Sequence, residues 1–281
     1  MSPTTPEVSP PATDWGMLSY AFLCNLRVSS PLVQCITNFV SMDLVANVLS
    51  SAGASPAMIH CVDELPDFTP NVAALCINVG TLSAEWVPAM KSAAELAARH
   101  GKPWVLDPVA AGASQFRMNV CLDLVGLRPT VIRGNASEII ALSSATVGTT
   151  KGVDSSHKSS DAIEAAKSLA RESGAVVAVT GAMDIITDGR TVLGASNGIP
   201  MLQKITATGC SVTALIAAFV ALDPPRILEA TACALSLFGI AAEMGMETAR
   251  GPASLRMHMI DALHGLDQAA VLCRTKIAVL L

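Results

Sequence analysis

The residues best placed to do chemistry lie between Lys204 and Leu222. The segment Ala207-Thr208-Gly209-Cys210 runs without a break into a small-residue apolar stretch, predicted as a helix over Ser211–Leu222. A loop that opens a helix gathers free backbone N–H groups and the positive end of the helix dipole at one point. That point suits an anion, above all a phosphate. Ala207, Thr208, Gly209 and Cys210 supply the amides, and Cys210 adds a thiol. Three readings of the thiol stay open. It is an inert core thiol, or a nucleophile, or a general base toward a substrate hydroxyl. The nucleophile needs a partner base, and no His lies nearby in sequence. A helix N-terminus can lower a thiol pKa from about 8.5 into the range ~3.5–7.5, and a bound polyphosphate would oppose that shift.

Other polar residues stand just after short apolar runs. Thr37 and Asn38 follow Leu32–Ile36; Asn78 and Gly80 lie around the end of 74–79. Asp107 follows Trp104–Leu106, while Arg133, Asn135 and Glu138 follow Thr130–Ile132. Thr180 and Gly181 follow Ala175–Val179. In open parallel sheets ligands bind beyond the carboxyl ends of the strands, so these groups are expected to converge. Asp107 and Glu138 together suit Mg²⁺, which takes one or two protein carboxylates and keeps waters. The bland alternatives are a turn residue before Pro108 and a first-turn helix residue. Arg133 pairs with a phosphate or forms a surface salt bridge.

The elements that must hold these groups alternate. Predicted strands are Leu32–Ile36, Ala57–His60, 74–79, Trp104–Leu106, Thr130–Ile132 and Ala175–Val179. Predicted helices are 40–51, 84–100, one capped by Asn135 or Ser137 and ending near Leu142, and 161–172. Ile185–Thr187 and Thr191–Leu193 flank Asp188-Gly189, a hairpin signal. Helices Ile227–Glu247 and Leu255–Cys273 follow Ser211–Leu222. Near-continuous apolar strands alternating with helices imply a mostly parallel sheet covered on both faces. One three-layer α/β domain over 14–281 is expected, after a Pro-, Ser- and Thr-rich disordered tail over 1–13. The polar, aperiodic segment 147–160 is expected to be a mobile loop beside the site.

Composition narrows the classes. The chain has 281 residues, 51% hydrophobic and 15% charged, which is enough to build a large core. Net charge is −5 and no basic run occurs, so nucleic acid is not an expected partner. The longest apolar stretch, Cys210–Leu222, is too short to span a bilayer. The eight cysteines form no Cys-x-x-Cys pair, as for reduced thiols, and the N-terminus shows no secretory or transit pattern. A cytoplasmic protein is expected. Low surface charge and an Ala-rich core lean toward an oligomer.

Several segments occur in a telling order. They are Pro31-Leu32-Val33-Gln34-Cys35-Ile36-Thr37-Asn38, Gly53-Ala54-Ser55-Pro56-Ala57-Met58, Asn78-Val79-Gly80-Thr81-Leu82, and Leu106-Asp107-Pro108-Val109. Ile132-Arg133-Gly134-Asn135-Ala136-Ser137-Glu138-Ile139 and Val179-Thr180-Gly181 then precede Ala207-Thr208-Gly209-Cys210. Over roughly residues 18–270 the chain resembles the hydroxyethylthiazole kinases of the ribokinase-like superfamily. The resemblance implies a ribokinase-like fold and transfer of the ATP γ-phosphoryl group to the hydroxyl of 4-methyl-5-(2-hydroxyethyl)thiazole. The product is the thiazole monophosphate used for thiamine phosphate. It further implies Mg²⁺, and a homotrimer with sites between subunits.

Carried over by residue, Met58 lines the thiazole pocket, with Asn38 and Gly80 near it. Ala207 contacts the substrate where relatives often carry Gly. Arg133 and Thr180, with Asn135 and Gly181 beside them, contact ATP, and Asp107 and Glu138 lie near Mg²⁺. Cys210, with Thr208 and Gly209, takes the catalytic position, where most of the superfamily has Asp. Rival readings are another ribokinase-like kinase, such as a hydroxymethylpyrimidine kinase, or a non-catalytic ATP/ADP-binding regulator. A Rossmann redox enzyme fits poorly, because no Gly-x-Gly-x-x-Gly follows an early strand.

Overall fold

The computed structural model describes residues 13–147 and 159–281. Nearly all of the expected tail, and the centre of the expected 147–160 loop, lie outside the described residues.

The chain opens with α1 (Trp15–Ser29), then β1 (Leu32–Ile36), α2 (Met42–Ala52) and β2 (Ser55–Ala57). The short α3 (Leu65–Phe68) leads to β3 (Ala74–Asn78), α4 (Trp86–Arg99), β4 (Trp104–Asp107) and α5 (Gln115–Gly126). Next come β5 (Val131–Asn135), α6 (Ala136–Val147), α7 (Ser159–Ser173) and β6 (Val176–Thr180). The hairpin β7 (Asp184–Thr187) and β8 (Val192–Ala195) precedes α8 (Thr208–Val220) and α9 (Ile227–Met246). The chain closes with α10 (Pro252–Gly265), α11 (Gln268–Arg274) and β9 (Ile277–Val279).

The strands form one nine-stranded sheet in the order β2-β1-β3-β4-β5-β6-β7-β8-β9. The first six run parallel, and β7, β8 and β9 are antiparallel. Strand periodicity divides the core into two layers. Val33, Cys35, Ala74, Cys76, Val105, Val131 and Ala178 face α1, α2, α8, α9 and α10. Ile36, Leu75, Ile77, Leu106, Ile132 and Val177 face α4, α5, α6 and α7. The expected three-layer architecture is therefore present.

Helix α8 carries the anion loop because it is anchored throughout. Every residue from Ser211 to Val220 is buried. Side chains such as Leu215, Ile216 and Phe219 each contribute about 1.5–3 kcal/mol through that burial. Its first turn is thus fixed by the core, although its amides point out of it.

Several expectations are corrected. α8 starts at Thr208 rather than Ser211, so the loop amides belong to its first turn. The expected helix Leu255–Cys273 is two helices, broken at Leu266-Asp267, where the Asp267 side chain caps α11. The second strand is shifted to Ser55–Ala57. Helices α1, α3 and α5 and strand β9 were not expected. Among the described residues one helical segment, Pro224–Met246, is long and apolar enough to cross a bilayer by length and composition. However, its most apolar stretch is mostly buried inside the fold, as in a core helix.

Candidate active site

The carboxyl ends of β1, β3, β4, β5 and β6 meet the start of α8. The contacts form a continuous polar chain. The Asn38 side-chain amide donates to Cys210 Sγ at 3.3 Å and to Asn78 Oδ1 at 2.8 Å. Asn78 donates in turn to Asp107 Oδ2 at 2.7 Å. Thr213 Oγ1, one turn into α8, donates to the same oxygen at 2.9 Å. The two amide orientations are set by the backbone: Val40 N–H donates to Asn38 Oδ1, and Gly80 N–H to Asn78 Oδ1 at 2.9 Å. Gly80 is required by this approach, since a Cβ there would lie 2.6 Å from Asn38 Nδ2.

Arg133 forms the second half of the site. It leaves β5 nearly buried and donates to Thr180 Oγ1 at 2.5 Å. Its other terminal nitrogen stands 3.8 Å from Asp107 Oδ2. A Cβ at Gly209 would lie 2.7 Å from that nitrogen, so the guanidinium rests against the first turn of α8. Ser211 is the first residue of this turn to bond back, to Ala207 O at 2.9 Å. The amides before it have no intrahelical acceptor. A guanidinium and free helix amides at one point form an anion site by two independent contributions. Ala207 enters this turn in the left-handed region, with φ 73°.

Two buried groups at the site lack a protein partner: Asp107 Oδ1 and Arg133 Nε. Buried polar atoms are almost always paired, so their vacancies fit a ligand at this place. Burial raises the Asp107 pKa to about 6, against the opposing pull of Arg133 and the hydrogen bonds from Thr213 and Asn78. Burial, with the nearby Asp107 charge, also pushes the Cys210 thiol up. The shift runs opposite to the lowering that a helix N-terminus alone would give. Among the described residues no histidine hydrogen-bonds to Cys210, so the nucleophile reading lacks its base.

Glu138 is held differently from Asp107. Its oxygens accept the N–H groups of Asn135 and Ala110, both at 2.8 Å. Asn135 Oδ1 accepts the Glu138 N–H at 3.0 Å, completing a reciprocal cap of α6. Asn135 rather than Ser137 is therefore the cap.

Beside Arg133, Thr180 and Gly181 opens a cavity of about 500 Å³. Asn135, Thr208 and Gly209 also line its polar end, and Ile199, Leu202, Val212, Leu235 and Phe238 form its apolar part. Its size is that of a small-molecule pocket. The 197–203 segment and the α9 residues escaped the sequence reading, as did Asp184 in the same wall. Arg117 was also missed. It donates to the carbonyls of Val79, Gly80 and Val109, tying together the loops after β3 and β4.

Phe39 follows Asn38, the partner of Cys210, and is 67% exposed. Its ring lies 4.7 Å from that of Trp86, which lies 4.6 Å from His60. Met58 follows β2, half-buried against the inner core. No hydrogen bond or ring contact joins it to the Cys210 chain among the described residues.

Residues 23–269 match the Hydroxyethylthiazole kinase family. The chain belongs to that family. It is 64% identical over 264 residues to a hydroxyethylthiazole kinase of Arabidopsis thaliana, covering 94% of this chain and 96% of the relative. A Zea mays hydroxyethylthiazole kinase is 60% identical, with 94% of each chain covered. A solved hydroxyethylthiazole kinase structure from Pyrococcus horikoshii OT3 superposes with a TM-score of 0.88 at 38% identity, over 94% of this chain and 100% of that one. A Bacillus subtilis pyridoxal kinase shares the fold alone, with a TM-score of 0.57 and 19% identity over 80% of this chain and 98% of that one. The three-layer fold is thus ribokinase-like, and the chain is a kinase with ATP as co-substrate.

Proposed function

We propose that this chain phosphorylates the hydroxyl of 4-methyl-5-(2-hydroxyethyl)thiazole, giving the thiazole monophosphate for thiamine phosphate synthesis. The observation that carries the mechanism is the position of the α8 first turn. Arg133, Thr180 and the cavity lie on one side of it, and Cys210 with Asn38 on the other. ATP occupies the cavity, its base against Ile199, Leu202 and Phe238 and its phosphates toward Arg133, Thr180, Asn135 and Gly181. The thiazole alcohol lies on the Cys210 side, near Met58, Asn38, Gly80 and Ala207.

The substrate oxygen attacks the γ-phosphorus in line, and the bond to the β–γ bridging oxygen breaks, releasing ADP. The amides of Thr208, Gly209 and Cys210 stabilise charge on the moving group together with Arg133. Such transition states are loose, so positioning outweighs proton removal. Asn38 orients Cys210 toward the hydroxyl, and the thiolate form of Cys210 takes its proton. Mg²⁺ would be held by Asp107 through its unpaired Oδ1, with Glu138 behind it, and would neutralise phosphate charge. The free buried carboxylate oxygen fits such a cation.

A homotrimer with sites between subunits is the assembly we favour. The exposed Phe39 and Val40 beside the site support it, since a neighbouring copy would cover them. All eight cysteines are free thiols, which suits a reducing cytoplasm.

The deciding experiment is a coupled ADP-release assay with and without the thiazole alcohol. Alcohol-dependent ADP release with a phosphorylated thiazole product is expected. Alcohol-independent turnover, or no turnover with full ATP binding, would overturn the substrate assignment. Light scattering tests the trimer, and a monomer mass would reject it.

A further inference from the structure

We infer that Asp184 is the residue that reads the ribose hydroxyls of the nucleotide, making the enzyme selective for ribonucleotides. The inference rests on the cavity being the nucleotide site.

Asp184 opens β7 and lines the cavity. One of its oxygens, Oδ1, accepts the Gly181 N–H at 2.9 Å. Its other oxygen has no protein donor among the described residues. Among the described residues it is the one carboxylate in the cavity wall. Of the other polar side chains there, Arg133 offers only donors, Asn135 and Gln203 are uncharged, and the Asn197 side chain is fully used within the protein. Asn197 donates to Glu243 Oε1 and the Arg274 carbonyl, and accepts from Ser236 Oγ and the Lys276 N–H.

A nucleoside triphosphate offers few donors to a carboxylate. Its phosphates are acceptors and repel it. The sugar hydroxyls and the base amine remain. Position separates these two. Gly181 follows directly on Thr180, whose hydroxyl receives the Arg133 bond at the phosphate end. A carboxylate one hydrogen bond from Gly181 therefore lies near the phosphate end of the cavity. The sugar is the part of the nucleotide joined to the phosphates, whereas the base amine lies at the far end, where the wall is Leu202, Leu235 and Phe238. Burial raises Asp184 to about 6 despite the Gly181 bond and nearby Arg133, so a bound donor would relieve a desolvated charge.

The test compares kcat/KM for ATP, 2′-deoxy-ATP, 3′-deoxy-ATP and ITP in wild type, Asp184→Asn and Asp184→Ala. Hydrogen bonds to charged groups predict a wild-type preference for ATP over one deoxy analogue of about tenfold or more. Asp184→Asn keeps the shape and the Gly181 bond, and should shrink that ratio several-fold. Asp184→Ala should bring it close to one. An unchanged deoxy ratio in both variants, or no wild-type preference, overturns the inference. A change in the ATP/ITP ratio instead assigns Asp184 to the base and also overturns it. Arg133→Ala, assayed in parallel, keeps the two readings apart: full ATP affinity in that variant would overturn the cavity's assignment to the nucleotide rather than the role of Asp184.

Discussion

The amide of Asn38 donates to Cys210 Sγ at 3.3 Å, and the same nitrogen holds Asn78 Oδ1 at 2.8 Å. The thiol is thus a hydrogen-bond acceptor at the end of a polar chain that reaches Asp107. Donation to sulfur favours the thiolate, while burial and the Asp107 charge disfavour it and win.

Turnover should therefore depend on an uphill deprotonation. Cys210→Ala should lose about 10²–10⁴-fold in kcat, the usual worth of a general base, with ATP affinity retained. In wild type, kcat should keep rising on the alkaline side of neutrality as the thiolate forms. Cys210→Asp should stay active and lose that alkaline rise. A full pH–rate profile of the three proteins decides this, and wild-type turnover in Cys210→Ala would remove the thiol from the reaction.

Asp107 sets stability against activity. Its pKa is raised from 3.8 to about 6 by burial, and this already includes the attraction of Arg133. The folded state therefore binds the Asp107 proton more tightly than the unfolded chain does. Its favourable contribution is complete below 3.8 and is lost as pH rises through about 6. Asp107→Asn should be more stable than wild type at pH 8, on the order of 2 kcal/mol, and equal to it near pH 3.5. Its turnover should fall by at least about 10²-fold, as when a charge-stabilising group is lost. Melting curves across pH, paired with turnover at pH 8, check both halves. A destabilised variant at pH 8 would mean that the Arg133 pair outweighs burial.

The layers of this fold were readable in the chain because β1, β3, β4, β5 and β6 alternate between two apolar faces, and all but β6 lead into a helix. The site was readable because its groups sit at strand ends: Asn38, Asp107, Arg133 and Thr180 each come within two residues of one. What escaped has specific causes. Helix α1 carries a legible signal, with Asp14 accepting the Met17 N–H and Ser19, Phe22, Leu23 and Leu26 buried at helical spacing. Strand β9 has no such signal, because its partner β8 is far away in sequence. The apolar cavity wall also joins distant segments, 197–203 and α9. Arg117 escaped because its partners are backbone carbonyls of other loops, which leave no pattern in side-chain types.

Arg117 offers a test of those loops. Its fork reaches Val109 O at 3.1 Å and Gly80 O at 3.0 Å, and a third bond goes to Val79 O. Lysine keeps the charge and cannot bridge several carbonyls with a rigid fork. Arg117→Lys should therefore lower kcat about tenfold, since misplacement of the loops weakens the alignment of reacting groups. ATP affinity should stay near wild type, because the Arg133 side of α8 is untouched. A fall in ATP affinity equal to that in kcat would mean general loosening of the fold instead.

Ala207 is a strained entry to α8. An L-residue in the left-handed region costs roughly 1–2 kcal/mol, and glycine there loses about 0.5–1 kcal/mol through extra chain entropy. Ala207→Gly should therefore raise stability slightly, by about 0.5 kcal/mol, although most glycine substitutions lower it. A rise in Tm with unchanged ATP affinity is the expected result. A lower Tm would show that the Ala207 methyl contributes more by packing than its backbone costs.

Gly209 and Arg133 should behave as one unit. Alanine is the better helix former, and the atom its methyl would meet is the far end of a flexible side chain, so Gly209→Ala should fold. The methyl must then displace the Arg133 guanidinium, which stands 2.7 Å from the Cβ position. Calorimetric titration should show ATP binding weakened about 10–100-fold in both Gly209→Ala and Arg133→Ala, the worth of a charged hydrogen bond. Thiazole binding should stay unchanged in both. Because the two substitutions remove the same interaction, the double variant should bind ATP no worse than Arg133→Ala alone. Additive losses would show that Gly209 serves ATP by a separate route, through close approach of its own amide to the phosphates.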